Sequence, residues 1–300
     1  MVSSQLQTAL ERGADAVERM GLTRGILDLA GYRAVLGPTP YPWPRETRVR
    51  DLQIGDVPCK EITAPGADPA VRILYLHGGG YVAGGVQSHG GIAAWISTAA
   101  RAVVVFPEYR LAPESPFPAG LDDALTAWDG MTSSADAGEH VDQGSFVVGD
   151  SAGAGMAVAL ALRLKNRASP QPTGIVLLSP FLNLDPRTSK RLAQSGFERG
   201  LSEAYVGSFD PAHPLISTVF ADLKGLAPTL IQVGDADPLM QDAIDFARLA
   251  GSHHVDVKLD VYAGLPHVWH KHVPEVPEAV EAIDAVGIYI RSRVPSTIQP

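Results

Sequence analysis

Short apolar runs alternate with helical patterns along most of the chain. The runs have the length and composition of buried strands, and they lie at 71–76, 102–106, 145–148, 174–178, 229–233 and 255–262. Apolar residues with helical spacing fall between them, at about 91–100, 121–131, 152–166, 239–250 and 275–291. Two further strand-like runs, 48–54 and 57–63, join through Gly55 and Asp56, which is a hairpin signal. The alternation predicts an α/β fold with a mostly parallel, doubly wound sheet of about eight strands and helices on both faces.

Three segments depart from this alternation. Residues 2–20 carry apolar positions at helical spacing, which predicts an amphipathic helix that packs on the core or lies over a pocket. Residues 37–44 contain too many prolines for a regular element and predict an extended connector. Residues 181–227 are irregular and interrupt the alternation between two strands, where we expect a lid over the carboxyl edge of the sheet. We predict a single domain over 1–300.

The third buried run, 145–148, leads into a G-x-S-x-G pattern, which is formed by Gly149, Asp150, Ser151, Ala152 and Gly153. A serine at the tip of a tight strand-to-helix turn is held in strained geometry, and the glycines avoid collisions with the neighbouring strand and helix. The helix that follows directs its positive end at the serine. The five-residue pattern alone is weak, but its flanking strand and helix favour Ser151 as a nucleophile over a helix-capping residue.

A glycine-rich segment follows the strand at 71–76 and consists of His77, Gly78, Gly79 and Gly80. Ligands bind at the carboxyl ends of strands in open α/β sheets. Consecutive glycines let backbone N–H groups approach a substrate closely, and in acyl transfer each such donor stabilises the oxyanion by roughly 3 kcal/mol. We therefore interpret the segment as an oxyanion loop rather than a loose turn.

A candidate acid and a candidate base follow Ser151 in the order that this kind of nucleophile requires. Asp235 and Asp237 come after the penultimate predicted strand, and His267 comes after the last one. His267 would take the Ser151 proton as general base, while a carboxylate fixes the imidazole tautomer and stabilises the imidazolium. We favour Asp237 as this carboxylate, with Asp235 as the alternative.

Composition argues against several other functions. The net charge is −9 and the pI is about 5.4, so the chain lacks a basic surface for nucleic acid. Cys59 is the single cysteine, which rules out an internal disulfide, and no Cys/His spacing typical of zinc occurs. We interpret His270 and His272 as solvated loop side chains rather than metal ligands. No nucleotide-binding glycine motif occurs. We expect a cytoplasmic protein with no membrane insertion, metal or cofactor.

Several motifs in this order resemble the hormone-sensitive-lipase-like branch of the α/β-hydrolases. They are the segment 77–80 (His-Gly-Gly-Gly), 108–114 (Glu-Tyr-Arg-Leu-Ala-Pro-Glu), 116–119 (Pro-Phe-Pro-Ala), 149–153 (Gly-Asp-Ser-Ala-Gly), 237–239 (Asp-Pro-Leu) and His267. The matches run through most of the chain. The parts without a distinctive match, about 1–45 and 181–220, are those from which the family builds its cap, so we expect cap segments at 1–45 and 181–227.

The resemblance implies hydrolysis of carboxylic esters. It implies a catalytic triad of Ser151, Asp237 and His267, and oxyanion donors from the backbone of Gly79, Gly80 and Ala152. Structural support would come from His77, Gly78, Gly149, Asp150, Gly153, Arg110 and Glu114.

One position departs from the family's pattern. The family often follows the catalytic histidine with Gly-Phe, whereas here Val268 and Trp269 follow it. We expect this bulkier pair to reshape the leaving-group side of the site.

The sequence therefore predicts a cofactor-free serine esterase that forms an acyl-enzyme on small, apolar esters of short or medium acyl chain. A lactone hydrolase is an alternative, because it needs the same groups and differs only in pocket shape. From another class, the fold also carries small-molecule receptors that have lost the triad, but Asp237 and His267 are both present. A small-molecule ester is the expected partner, and the family also suggests a homodimer.

Overall fold

The computed structural model describes residues 2–19, 25–38, 42–133 and 144–295. Within them the strands are β1 (Arg48–Ile54), β2 (Val57–Thr63), β3 (Asp68–Leu76), β4 (Ala102–Pro107), β5 (Gly144–Asp150), β6 (Gly174–Leu178), β7 (Thr229–Gly234) and β8 (Val257–Tyr262). They form one sheet in the order β1-β2-β4-β3-β5-β6-β7-β8. β2 is antiparallel to β1 and β4, and every other described neighbour is parallel.

Helices cover both faces of this sheet, as predicted. They are α1 (Ser4–Arg19), α2 (Leu29–Val35), α3 (Val86–Ala100), α4 (Ala119–Thr132), α5 (Ala152–Asn166), α6 (Lys190–Gln194), α7 (Gly196–Val206), α8 (Met240–Ser252) and α9 (Pro277–Arg291). Ile73 of β3 packs in a core with α3 and α9, and the next residue, Leu74, packs in a second core with α4, α5 and α8. Because both faces of the central strands are buried, their sequences read as continuous apolar runs.

Three short helices, α2, α6 and α7, lie where the sequence pattern predicted none. Their starts are set by local side-chain caps. The Asp28 carboxylate accepts from the Gly31 N–H at the start of α2, and the hydroxyls of Ser189 and Ser195 cap α6 and α7. The interval 181–227 is therefore not irregular throughout, since caps stabilise helices that are too short to show a clear apolar period.

The two predicted cap segments contact each other. Tyr32 of α2 packs edge-to-face on Phe197 of α7, with ring centroids 5.1 Å apart. α1 instead packs on the core beside α9. Leu6 of α1 is buried, and the hydroxyl of Ser3, which precedes the helix, donates to Glu278 of α9. The cap assignment of 1–45 and 181–227 stays a prediction, and residues 1, 20–24 and 39–41 of the first segment lie outside the described residues.

Candidate active site

The register of the sheet places the predicted motifs at one edge. Leu76, the last residue of β3, pairs with Gly149 near the end of β5, so the glycine-rich loop and Ser151 leave the sheet side by side. The ends of β7 and β8 are paired in the same way, which makes the predicted acid and base loops neighbours. Four loops at the carboxyl edge thus meet where ligands bind in open α/β sheets.

Ser151 lies between β5 and α5 in a backbone conformation that few residues adopt. Its φ is +51° and its ψ is −117°, and such strain costs of order 1–3 kcal/mol, so it persists only where the surroundings enforce it. The turn is so tight that a Cβ on Gly153 would lie 1.9 Å from the carbonyl oxygen of Leu76. The close approach of α5 to β3 therefore requires glycine at position 153 and holds the serine at the tip of the turn.

Ser151, His267 and Asp237 form one hydrogen-bonded chain. Ser151 Oγ lies 3.0 Å from His267 Nε2, and His267 Nδ1 lies 3.1 Å from both carboxylate oxygens of Asp237. Because an ionised carboxylate only accepts hydrogen bonds, we place the imidazole proton on Nδ1 and the lone pair on Nε2. The imidazole is thus oriented to accept the Ser151 proton. Its side chain is 37% exposed, so water reaches it, whereas the Asp237 side chain is fully buried.

The structure brings Asp237, and not Asp235, to the imidazole. Burial acts to raise the pKa of the Asp237 carboxyl, but His267, the Ser179 hydroxyl and the Leu239 N–H outweigh it and hold that pKa below its usual range. The carboxyl is therefore ionised near neutral pH. The Asp235 carboxylate instead accepts a hydrogen bond from the Gly264 N–H and braces the loop that carries the histidine.

The glycine-rich loop lies directly against Ser151. A Cβ on Gly78 would lie 3.1 Å from the Cβ of Ser151. Gly79 and Gly80 have φ values of +118° and +61°, which glycine adopts readily and other residues rarely do. Within the described part of the chain, the N–H groups of Gly79, Gly80 and Ala152 have no protein hydrogen-bond acceptor. They are thus free to bind a substrate oxygen.

His77 holds this loop from the side of the core. It is buried, its Nδ1 lies 2.7 Å from the carbonyl oxygen of Gly78, and its ring stacks on Tyr109 with centroids 4.2 Å apart. The Tyr109 hydroxyl donates to the His77 carbonyl oxygen at 2.6 Å. Burial lowers the pKa of His77 to about 3, so the ring is neutral when the site works.

Arg110 and Glu114, predicted to support the site, contact different partners, and their supporting role stays a prediction. The Arg110 guanidinium is paired with Asp123 of α4. Glu114 is largely exposed and pairs with Arg33 of α2, which holds the pKa of its carboxyl at about 2. Arg33 also donates to the carbonyl oxygen of Val82 at 2.7 Å, so this arginine joins a predicted cap segment to the loop that continues from Gly80. Sequence patterns did not single out Arg33.

The interpretation of His270 and His272 as solvated side chains is wrong. Both are buried, and His270 Nε2 hydrogen-bonds Gln232 Oε1 at 3.0 Å under the sheet edge. Burial lowers the pKa to about 3 for His270 and to about 4 for His272. Among the described residues no cluster of three or more His, Cys, Asp or Glu side chains could hold a metal ion.

The residues after His267 are buried rather than turned to the solvent. Trp269 is completely buried, and its indole N–H donates to the carbonyl oxygen of Glu278 in α9. Val268 is also buried, and its φ of +46° is the left-handed conformation in which the family's glycine would be unstrained. The expected effect on the leaving-group side is therefore wrong for Trp269, which contributes to the core.

Comparison with known proteins agrees with this fold. The chain matches the family described as alpha/beta hydrolase fold over residues 73–271. It is 35% identical over 240 residues to an acetyl-hydrolase of Streptomyces hygroscopicus, covering 77% of this chain and 79% of the relative. It is 32% identical over 227 residues to an ethyl acetate hydrolase of Pseudomonas putida, covering 70% of each.

Solved structures give the same result. An esterase from the bacterial hormone-sensitive lipase family superimposes with a TM-score of 0.87 and 31% identity, covering 98% of this chain and all of the other. EstE5, soaked with p-nitrophenyl butyrate, superimposes with a TM-score of 0.86 and 28% identity, covering 97% and 99%. The chain belongs to the hormone-sensitive-lipase-like family of α/β-hydrolases. Its activity is that of a carboxylesterase.

No helix in the described ranges has the length and apolar character needed to cross a bilayer. The expected homodimer stays a prediction.

Proposed function

We propose that the chain hydrolyses small, apolar carboxylic esters of short or medium acyl chain through an acyl-enzyme on Ser151. The observation that carries the proposal is the continuous chain of contacts from Ser151 Oγ through the His267 imidazole to the Asp237 carboxylate, at 3.0 and 3.1 Å. A nucleophile, a base and an orienting acid at these separations can activate a serine for acyl transfer.

Acylation would begin with attack of Ser151 Oγ on the ester carbonyl carbon. As the Oγ–C bond forms, the hydroxyl proton passes to His267 Nε2, and the carbonyl electron pair moves to the oxygen. The N–H groups of Gly79, Gly80 and Ala152 would bind the resulting oxyanion. Each such donor is worth roughly 3 kcal/mol in the transition state. When the C–O bond to the alcohol breaks, the imidazolium returns the proton to the departing oxygen.

Deacylation would repeat these steps with water. His267 Nε2 takes a proton from a water molecule as its oxygen attacks the acyl carbon, and the proton then returns to Ser151 Oγ as the acid leaves. The partly exposed imidazole gives water access to this position. Asp237 stays ionised throughout and stabilises the imidazolium, because its carboxylate receives hydrogen bonds from several donors.

The preference for short acyl chains has support from relatives and from the predicted cap segment at 181–227. An acetyl-hydrolase and an ethyl acetate hydrolase are among the relatives, and their names concern small acyl groups. In this chain Leu201 of α7 packs against Gly80, since a Cβ on that glycine would lie 2.7 Å from Leu201 Cδ1. The helix therefore closes down on the predicted oxyanion loop and limits the space beside it.

Hydrolysis of p-nitrophenyl esters from acetate to palmitate tests the proposal, with simple lactones assayed beside them. We expect the wild type to turn over acetate and butyrate best and Ser151→Ala to lose about 10⁴- to 10⁶-fold in kcat. A preference for lactones would replace the ester substrate but keep the triad. Equal inactivity of both proteins on every substrate, together with binding of small apolar ligands, would replace the proposal with a receptor.

A further inference from the structure

The residue that follows β6 brings to the site a side chain that has no role in the proposed acylation and deacylation steps. This strand lies between β5 and β7 in the sheet. Its last residue, Leu178, pairs with Asp150 on one side and Gln232 on the other. Ser179 follows directly, so it leaves the sheet between the nucleophile turn and the acid loop. We propose that Ser179 is a positioning residue that holds Asp237, and through it the base, in working geometry; this rests on the function proposed above.

The Ser179 hydroxyl contacts both the loop that carries Asp237 and the loop that carries His267. Hydrogen bonding from the Ser179 hydroxyl helps to lower the pKa of the Asp237 carboxyl, and the Ser179 oxygen accepts the N–H of Val268 at 3.0 Å. A serine hydroxyl has one proton and two lone pairs, so the two hydrogen bonds coexist. Because Val268 is covalently joined to His267, one buried side chain links the acid to the residue beside the base.

The backbone of Ser179 is fixed in an uncommon conformation. Its φ is +49°, the residue is fully buried, and its N–H donates to the carbonyl oxygen of Gln232 at 2.8 Å. Val268, its hydrogen-bond partner, has a φ of +46°, which is strained for a β-branched residue. Strain of this kind persists where the surrounding contacts enforce it, and it concentrates at functional sites.

The contacts of Asp237 predict how the loss of the Ser179 hydroxyl would change the stability of the Asp237 charge. The titratable groups that face this carboxylate are His267, which it binds, and the buried His270. His270 is neutral near neutral pH because burial lowers its pKa to about 3. Without the Ser179 hydrogen bond, the Asp237 carboxylate carries a less stabilised charge and holds the imidazolium more tightly. The pKa of the Asp237 carboxyl should therefore rise, because Ser179 is one of the groups that hold it down.

Steady-state kinetics of Ser179→Ala on p-nitrophenyl butyrate provide the test. We expect kcat to fall about 10- to 100-fold, as the loss of one hydrogen bond to a charged group implies. KM should change little, because the buried hydroxyl does not touch substrate. The acid limb of the profile of kcat/KM against pH should move to higher pH. Ser179→Gly also removes the hydroxyl and should give the same changes. Glycine adopts a positive φ without strain, so this variant serves as the test if Ser179→Ala folds poorly.

Ser97→Ala is the matched control. Its hydroxyl is also buried, accepts from a backbone N–H (Ala64, 3.0 Å) and donates to an acceptor (the carbonyl oxygen of Ala102, 2.7 Å), but Ser97 belongs to α3 and does not contact the candidate site. This variant should lose stability and keep the kcat and the acid limb of the wild type. A purely structural Ser179 would behave in the same way.

A double-mutant cycle with Asp237→Asn shows whether Ser179 acts through the acid. If it does, Ser179→Ala costs much less kcat in the Asp237→Asn background than in the wild type. Equal costs in both backgrounds, or a folded Ser179→Ala with wild-type kcat and acid limb, would overturn the positioning role. Ser151→Ala separates the two proposals. If Ser151→Ala keeps full activity, the proposed function fails. If Ser151→Ala is inactive while Ser179→Ala has wild-type activity, only the positioning role fails.

Discussion

The carboxylate of Asp150 accepts a hydrogen bond from the N–H of Gly78 at 3.0 Å, which joins the nucleophile turn to the predicted oxyanion loop. The same oxygen accepts a hydrogen bond from the Tyr75 hydroxyl at 2.7 Å, and the side chains of Tyr75 and Asp150 are both buried. Asp150 stands next to Ser151 in the chain, and Gly78 stands next to the candidate donor Gly79. One acceptor atom therefore fixes the distance between the candidate nucleophile, Ser151, and the groups that would bind the oxyanion.

Asp150→Ala should lower kcat about 10²-fold and reduce the free energy of unfolding by about 1–3 kcal/mol, because two buried donors lose their acceptor. Asp150→Asn should stay much closer to the wild type. Burial raises the pKa of the Asp150 carboxyl, so we expect the position of its oxygen to matter more than its charge, and an amide oxygen can accept both hydrogen bonds. Kinetics and urea unfolding of both variants measure this. If Asn is as damaging as Ala, charge rather than geometry is what the site needs.

Asp237→Asn should lower kcat about 10⁴-fold, because an amide can present its N–H₂ to Nδ1 and favour the wrong imidazole tautomer. Asp235→Asn is the matched control from the same loop, since its amide oxygen can still accept the Gly264 N–H. It should retain nearly all activity on p-nitrophenyl butyrate. A larger loss in Asp235→Asn than in Asp237→Asn would reverse the assignment of the acid.

Arg33→Met should lower kcat/KM about 3- to 10-fold by releasing the loop that continues from Gly80. The guanidinium donates to the carbonyl oxygens of both Val82 and Ala112. Each of these hydrogen bonds contributes a net stabilisation of about 1 kcal/mol, which the variant loses. Glu114→Gln tests the other half of the pair. Because that ion pair is solvent-exposed, it should contribute little, and activity should remain near that of the wild type. Similar losses in the two variants would mean that the ion pair, not the loop contact, is what matters.

Stability should fall steeply as the pH is lowered below about 6.5. Burial lowers the pKa of His77, His89 and His270 to about 3 in the folded protein. Between that value and the ordinary histidine pKa, the unfolded chain binds protons that the folded chain cannot, so unfolding becomes easier as pH falls. From pH 6.5 to 5 each histidine should cost about 1–2 kcal/mol.

Urea unfolding at pH 7 and pH 5 measures this loss, and His270→Gln is the variant to compare. An amide at this position can still donate to Gln232 but does not titrate. The difference in unfolding free energy between the two pH values should therefore shrink by about 1–2 kcal/mol. An unchanged difference would show that His270 takes up its proton in the folded protein.

The sheet and the grouping of the candidate catalytic side chains could be predicted from the sequence because their signals are local. A strand, a glycine-flanked serine and a helix follow one another within 144–166, and each loop with a candidate group follows its strand directly. The sequence alone does not decide between Asp235 and Asp237, because both follow β7. Only the packing of the loop decides which carboxylate reaches His267.

Residues whose roles depend on distant contacts could not be predicted. Arg33 reaches Val82 across 49 positions of sequence, and no local pattern marks that contact. Ser179 follows an ordinary buried strand, and its importance arises because β6 lies between β5 and β7. His270 reads as a polar loop residue, yet the adjoining Trp269 packs into the core and its own ring bonds Gln232.

The most direct test of the account is to identify the covalent intermediate. Turnover of p-nitrophenyl butyrate is stopped with acid within milliseconds of mixing, and the digested protein is examined by mass spectrometry. A good leaving group favours accumulation of the acyl-enzyme. We predict a butyryl group on the peptide that contains Ser151, and neither this adduct nor turnover in Ser151→Ala. Acylation of a different side chain, or undiminished turnover by Ser151→Ala, would contradict the account.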